Sequence, residues 1–177
     1  MKKGLVEVYC GTGKGKSTLA LGQSVRECAR GKSVIIIQFL KGKESDELEF
    51  IEGLKELDLK MFRFEKSKSC YENLNDQEKS EEINNIRNGL NFAKKVIATE
   101  ECDMLVLDEI FGVVDHGIMA VEDLKRLLEM VDTMHVVLTG DRCPEEIKPV
   151  ADCITVLESM APGTEESCKN QFRCPQR

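Results

Sequence analysis

Val8-Tyr9-Cys10-Gly11-Thr12-Gly13-Lys14-Gly15-Lys16-Ser17-Thr18 decides how the rest of this chain is read. The apolar run Leu5–Cys10 stops at glycines, and a helical pattern resumes at Ser17. Strand, glycine-rich loop and helix, in that order, is the setting in which a phosphate-binding loop has meaning. Glycines let successive backbone N–H groups curl towards one anion. The unpaired N–H groups and positive dipole end of the following helix aim at the same point. Lys16 is expected to reach the β/γ-phosphates as a point charge, and Ser17 to place its hydroxyl on Mg²⁺. The pattern G-x-x-x-x-G-K-[ST] asks for glycine at Cys10, whereas this loop carries Gly11, Gly13 and Gly15 with an extra Lys14. The competing interpretation is a generic glycine-rich turn, and the G-K-S step in this setting outweighs it.

At 177 residues the chain is read as one domain with room for a sizeable core. Residues 1–160 form the expected nucleotide-binding domain, and residues 161–177, polar and broken by Pro162-Gly163, an expected loosely held tail. No apolar run approaches membrane-span length, and the N-terminus lacks a signal-peptide core, so a cytoplasmic protein is expected. A net charge of −7 argues against a broad nucleic-acid surface and suits a single basic pocket for an anion. The eight cysteines are scattered, with no C-x-x-C pair, and are expected to be reduced thiols, several of them buried. Cys168 and Cys174 lie in the polar tail and are the thiols expected to crosslink. His116 and His135 lack a zinc-like setting, and His135 is read as structural.

The pattern predicts strands at 5–10, 33–40, 59–64, 104–109, 135–139 and 152–157. It predicts helices at 17–30, 46–57, 76–98 and around Val121–Val131, with a short helix after Pro144. The unbroken apolar middle of the second strand implies burial on both faces. Ile83, Ile86, Leu90, Ala93 and Ile97 fall on one face of the longest helix, which Asn75 or Asp76 can cap. Alternating strands and helices imply an α/β domain, a mostly parallel sheet flanked by helices, of the P-loop NTPase-like (RecA-like) class. Right-handed crossovers place the carboxyl ends of all strands on one edge. The glycine-rich loop, Gln38 to Gly42, Asp108-Glu109 and Gly140 to Arg142 therefore converge. The first strand and Met104–Asp108 are expected to be neighbours.

An apolar strand ending in Asp108-Glu109 looks like a Walker B element, whose carboxylate can hold Mg²⁺ directly or through water. Spacing leaves open which of the two acids does so. The alternative for either acid is a cap on the following segment. A triphosphate clamp of this kind serves a hydrolase that positions water, a group transferase, or a nucleotide-binding switch with little turnover, and the loop itself leaves all three open.

The loop, taken with Gly31-Lys32, Gln38-Phe39-Leu40-Lys41-Gly42, Leu107-Asp108-Glu109 and Thr139-Gly140, resembles the ATP:corrinoid adenosyltransferases of the BtuR/CobO type over about residues 5–157. The family's loop begins its glycines one position late, which accounts for Cys10. The resemblance implies that a corrinoid reduced to Co(I) attacks the 5′ carbon of ATP and that triphosphate leaves whole, from a loop that holds it in reverse orientation. By position, Gly11, Thr12, Gly13, Lys14, Gly15, Lys16, Ser17 and Thr18 would bind ATP, with Gln38, Lys41 and Arg142. Lys16 and Glu109 would be catalytic, and Ser17 with Glu109 or Asp108 would hold Mg²⁺. The family's T-G-R reads Thr139-Gly140-Asp141-Arg142 here, so the arginine falls one position later. Tyr71 corresponds to the aromatics near the corrinoid. A homodimer and a corrinoid-reducing flavoprotein are the partners the resemblance implies.

Overall fold

The structure is a computed structural model that describes residues 4–40, 53–54, 56–64 and 71–159. The expected helix at 46–57 lies largely outside the described residues, as do Lys41, Gly42 and the tail. Six strands form one sheet: β1 Leu5–Cys10, β2 Val34–Gln38, β3 Leu59–Arg63, β4 Met104–Asp108, β5 His135–Thr139 and β6 Cys153–Val156. Their order is β3-β2-β4-β5-β1-β6, and every neighbouring pair is parallel. The predicted adjacency of β1 and β4 is therefore wrong, because β5 lies between them. Apolar periodicity says which faces of a strand are buried, and it is silent on which strand inserts between two others.

Among the described residues, the helices α1 Lys16–Cys28, α2 Asp76–Thr99, α3 Ile110–Asp115 and α4 Val121–Glu129 flank the sheet. Alternate residues of the central strands divide between two cores, as pleating requires. Ile35, Ile37, Leu105, Leu107, Val136 and Leu138 pack with the apolar faces of α2, α3 and α4. Val34, Ile36, Met104, Val106 and Val137 pack with Ala20 and Cys28 of α1. All five residues of β2 and of β4 are buried, so the doubly covered strand is where the sequence placed it. Each such Leu or Ile contributes roughly 1.5–3 kcal/mol by leaving water.

Asn75 caps α2: its side chain accepts from Glu78 N–H, and the Glu78 carboxylate accepts from Asn75 N–H. Its buried stripe is Ile86, Leu90, Ala93 and Ile97, together with Gly89 and Val96. A Cβ at Gly89 would lie 2.7 Å from the Phe64 ring and 2.8 Å from Phe39, so glycine is what lets these aromatics reach the helix backbone. In α1 the buried positions are Ala20, Ser24, Glu27 and Cys28, whereas Leu19 is exposed. Glu27 closes the turn into β2 by accepting from Arg30 at 2.8 Å and from Lys32. The segment after Pro144 forms only a 3₁₀ turn, Lys148–Val150, and a similar turn, Tyr71–Asn73, precedes α2.

Of the described cysteines, Cys10, Cys28, Cys102 and Cys143 are buried and Cys153 is exposed, all as free thiols. Burial pushes the Cys102 thiol up to about 12 and the Cys143 thiol to about 11. His135 lies 2.8 Å from the Glu7 carboxylate, a partner within the sheet.

Candidate functional site

Gln38 and Asp108 are register partners on β2 and β4, one step beyond the paired Leu107 and Leu138 of β4 and β5. Residues in register on parallel strands point to the same face, so Gln38, Asp108 and Thr139 form one row at the carboxyl ends, on the α1 side. The Asp108 carboxylate accepts from Thr139 Oγ1 at 2.6 Å, from Ser17 Oγ at 2.8 Å and from Gln38 Nε2 at 2.8 Å. Gln38, Asp108 and Thr139 are all buried. A carboxylate so deep is stable only when its oxygens are occupied by donors, and here neutral donors supply them. Ser17, in the first turn of α1, thereby joins the phosphate loop to the end of β4 although β1 and β4 are not neighbours.

The loop between β1 and α1 is held by its own surroundings. Gly11 N–H donates to Asp141 O at 2.8 Å, Gly13 N–H to Leu157 O at 2.8 Å, and Lys14 N–H to Ser159 Oγ at 3.2 Å. Gly11 has φ of 111° and Gly15 of 95°, both in the region that glycine tolerates. A Cβ on Gly11 would stand 2.2 Å from Leu157 O, so this glycine also allows the backbone after β6 to approach. These N–H groups therefore bind protein rather than pointing together at an anion, which differs from the sequence expectation. The anion-binding potential concentrates at Lys16, Ser17 and the first turn of α1, whose N-cap Gly15 provides no side-chain cap.

Lys16 Nζ donates to Gly11 O at 2.6 Å, to Gly13 O at 3.1 Å and to Asp141 Oδ1 at 2.9 Å. The Lys16 side chain is only 10% exposed and that of Asp141 is 71% exposed. Thr12 and Thr18 are at the surface. Arg142 lies 4.0 Å from Asp115 rather than beside Lys16, where its neighbour Asp141 stands. Glu109 adopts a left-handed conformation, φ 63° and ψ 26°, at the start of α3, and its N–H donates to Thr139 Oγ1 at 2.8 Å. Ser17 Oγ donates to the first of the two acids, Asp108. Tyr71 stacks on His116 with ring centroids 4.8 Å apart.

The structure thus gathers Gly11, Gly13, Lys16, Ser17, Gln38 and Asp108, and it places Arg142 by Asp115 and Tyr71 against His116. Asp141, in the Gly140 to Arg142 stretch expected to converge here, joins the cluster, and Thr139, Leu157 and Ser159 complete it and were missed as site residues. Thr139 had a usable signal as the last residue of a strand in the row of Asp108, whereas Leu157 and Ser159 act through backbone and hydroxyl contacts that no motif encodes.

Ser17 and Asp108 offer hard oxygen donors and one negative charge, a set that fits magnesium. Among the described residues no group of three or more His, Cys, Asp or Glu could hold a metal unaided. Magnesium typically takes one or two protein oxygens and completes its shell with phosphate and water, so the sparse set remains compatible with it.

Sheet order, loop and row of polar strand ends define a P-loop nucleotide-binding domain. The KaiC-like protein PH0186 of Pyrococcus horikoshii superposes with a TM-score of 0.54 at 20% identity, over 86% of this chain and 70% of that one, which shows the fold alone. The family model for the ATP:corrinoid adenosyltransferases BtuR/CobO/CobP matches residues 2–171, and the chain belongs to that family. A corrinoid adenosyltransferase of Sinorhizobium is 33% identical over 161 residues, covering 89% of this chain and 73% of the relative. Another from Escherichia coli K12 is 26% identical over 175 residues, covering 97% and 85%. Among the described residues no helix is long and apolar enough to cross a membrane.

Proposed function

We propose that this chain transfers the 5′-deoxyadenosyl group of ATP to the Co(I) centre of a corrinoid, either cobalamin or cob(I)yrinic acid a,c-diamide. The observation that carries the reading is the junction of Lys16, Ser17 and Asp108 at the strand edge, in a chain of this family. The Co(I) electron pair forms the bond to the 5′ carbon, the bond from that carbon to the phosphate oxygen breaks, and its pair leaves with triphosphate. No side chain has to act as nucleophile, so the protein's work is to hold and neutralise the leaving group. Lys16 and the first turn of α1 receive the triphosphate. Gln38 and Thr139 fix the Asp108 carboxylate so that it faces Ser17. Magnesium, held by Ser17 and Asp108, would add positive charge to the leaving triphosphate. Thr12, Lys14, Thr18, Lys41 and Arg142 are proposed contacts to ATP, and Glu109 a second acid near the metal. Tyr71 with His116 is a proposed face for the corrinoid. Generating Co(I) requires a strong reductant, for which a reduced flavoprotein is the proposed partner, and a homodimer is the proposed assembly.

An anaerobic incubation with ATP, Mg²⁺, reductant and cobalamin tests the reading. Adenosylcobalamin and intact triphosphate are the expected products. ADP and phosphate alone, with the corrinoid demonstrably in the Co(I) state, would overturn it in favour of an ATPase. Lys16→Ala is expected to weaken MgATP binding by at least tenfold in calorimetry with the fold unchanged, since a charge-assisted contact of about 1.5–3 kcal/mol is removed.

A further inference from the structure

An ammonium group has three hydrogens, and those of Lys16 are all engaged, by Gly11 O, Gly13 O and Asp141 Oδ1. A phosphate oxygen can bond Lys16 only by taking the place of one of them. The two carbonyls belong to the loop itself, and the Gly11 and Gly13 N–H groups pin that loop to Asp141 O and Leu157 O. Asp141 Oδ1 is the partner that can leave, because its side chain is 71% exposed and has water to turn to. The Asp141 backbone stays in place meanwhile, through the bond from Gly11 N–H to its carbonyl at 2.8 Å.

We infer that Asp141 tunes the affinity of the phosphate site, its carboxylate competing with phosphate for Lys16. The inference rests on the proposed nucleotide reading of the loop. Its consequence is greatest for the product. Triphosphate has been cut free of the adenosyl group and keeps only its phosphate contacts, so an anion tethered 2.9 Å from Lys16 shortens its stay. The same competition penalises any small anion that approaches Lys16 without further contacts, and ATP overcomes it through the rest of its binding surface.

The test is a double-mutant cycle read by calorimetry with inorganic tripolyphosphate and Mg²⁺, with ATP in parallel. Asp141→Asn is expected to tighten tripolyphosphate binding by about fivefold, the upper worth of a partly exposed ion pair. ATP, which displaces the same contact, should tighten by a similar factor. In the Lys16→Ala background the same substitution should change the affinity by less than about twofold, because the competition is for Lys16. Asp141→Glu, which keeps the charge, should stay near wild type. An equal gain from Asp141→Asn with and without Lys16 would assign the effect to the general field and overturn the inference, and so would no gain in the Lys16 background. If Lys16→Ala itself leaves tripolyphosphate and ATP affinity unchanged, the nucleotide reading fails instead, a result separate from either of those. Thermal unfolding of each Asp141 variant, expected within about 2 °C of its own background for an exposed acid, confirms that the folded protein was measured.

Discussion

Asp108 and Glu109 are adjacent in sequence and opposite in circumstance. Asp108 lies in the sheet among Ser17, Thr139 and Gln38 donors, and Glu109 turns out of the strand in a left-handed conformation. Asp108→Asn puts an NH₂ group where a donor already points, so a buried bond is lost at a cost of about 1–3 kcal/mol. Urea unfolding should show that loss, and calorimetry should show the Mg²⁺-dependent part of ATP affinity falling with it. Glu109→Gln should leave the urea midpoint unchanged, and its effect should be confined to nucleotide turnover. If Glu109→Gln instead abolishes the Mg²⁺ dependence and Asp108→Asn spares it, the assignment of the metal reverses. Spacing alone could not separate the two acids, since both end the same apolar run. What separates them is strand parity: Asp108 is the last residue with the alternation of Val106, and Glu109 is the first beyond it.

At the level of the element, α1 and α2 show where apolar counting succeeds and where it fails. The stripe of α2 was legible because large aliphatic residues recur at helical spacing. The buried face of α1 runs through Ala20, Ser24, Glu27 and Cys28, small or polar residues that such counting passes over. Two glycines make the contrast measurable. Gly22 lies in α1 with open space around it, so Gly22→Ala should stabilise by about 0.5–1 kcal/mol through helix propensity. Gly89→Ala gains the same propensity and yet should destabilise by about 1–2 kcal/mol net, because its Cβ meets the Phe64 and Phe39 rings at 2.7 and 2.8 Å. Denaturant midpoints of the two variants should move in opposite directions. Glu27 gives the turn after α1 a pH signature. The Lys32 hydrogen bond, opposed by burial and helped by Arg30, holds its carboxyl below the ordinary 4.5. A depressed acid stabilises the fold fully above its unfolded value and loses that contribution as pH falls through its folded value. The stability gap between wild type and Glu27→Gln, about 1–3 kcal/mol at neutral pH, should hold down to about pH 4.5 and close below it.

At the scale of the whole molecule, fold class and the convergence of the strand ends were legible, because alternating strands and helices with right-handed crossovers leave one edge for ligands. The neighbour relations of the strands were not. The sequence suggested β1 beside β4 to bring loop and acid together, and the protein inserts β5 there, bridging the gap with the first turn of α1 instead. Contacts from sequence-distant residues were equally hidden, since Gly13 N–H meets Leu157 O, and Lys14 N–H meets Ser159 Oγ across 145 positions. That lacing carries a consequence for biosynthesis. The phosphate loop leaves the ribosome well ahead of the residues that brace it, with Lys14 and Ser159 lying 145 positions apart. At about 5–20 residues per second the loop waits roughly 7–30 s for its braces. Stalled nascent chains should acquire MgATP binding only once Ser159 has cleared the exit tunnel, and chains arrested with Asp152 as the last emerged residue should bind none. Until then the glycines of the loop are exposed to chaperones and proteases, and β6 with the segment after it acts as the timer of maturation.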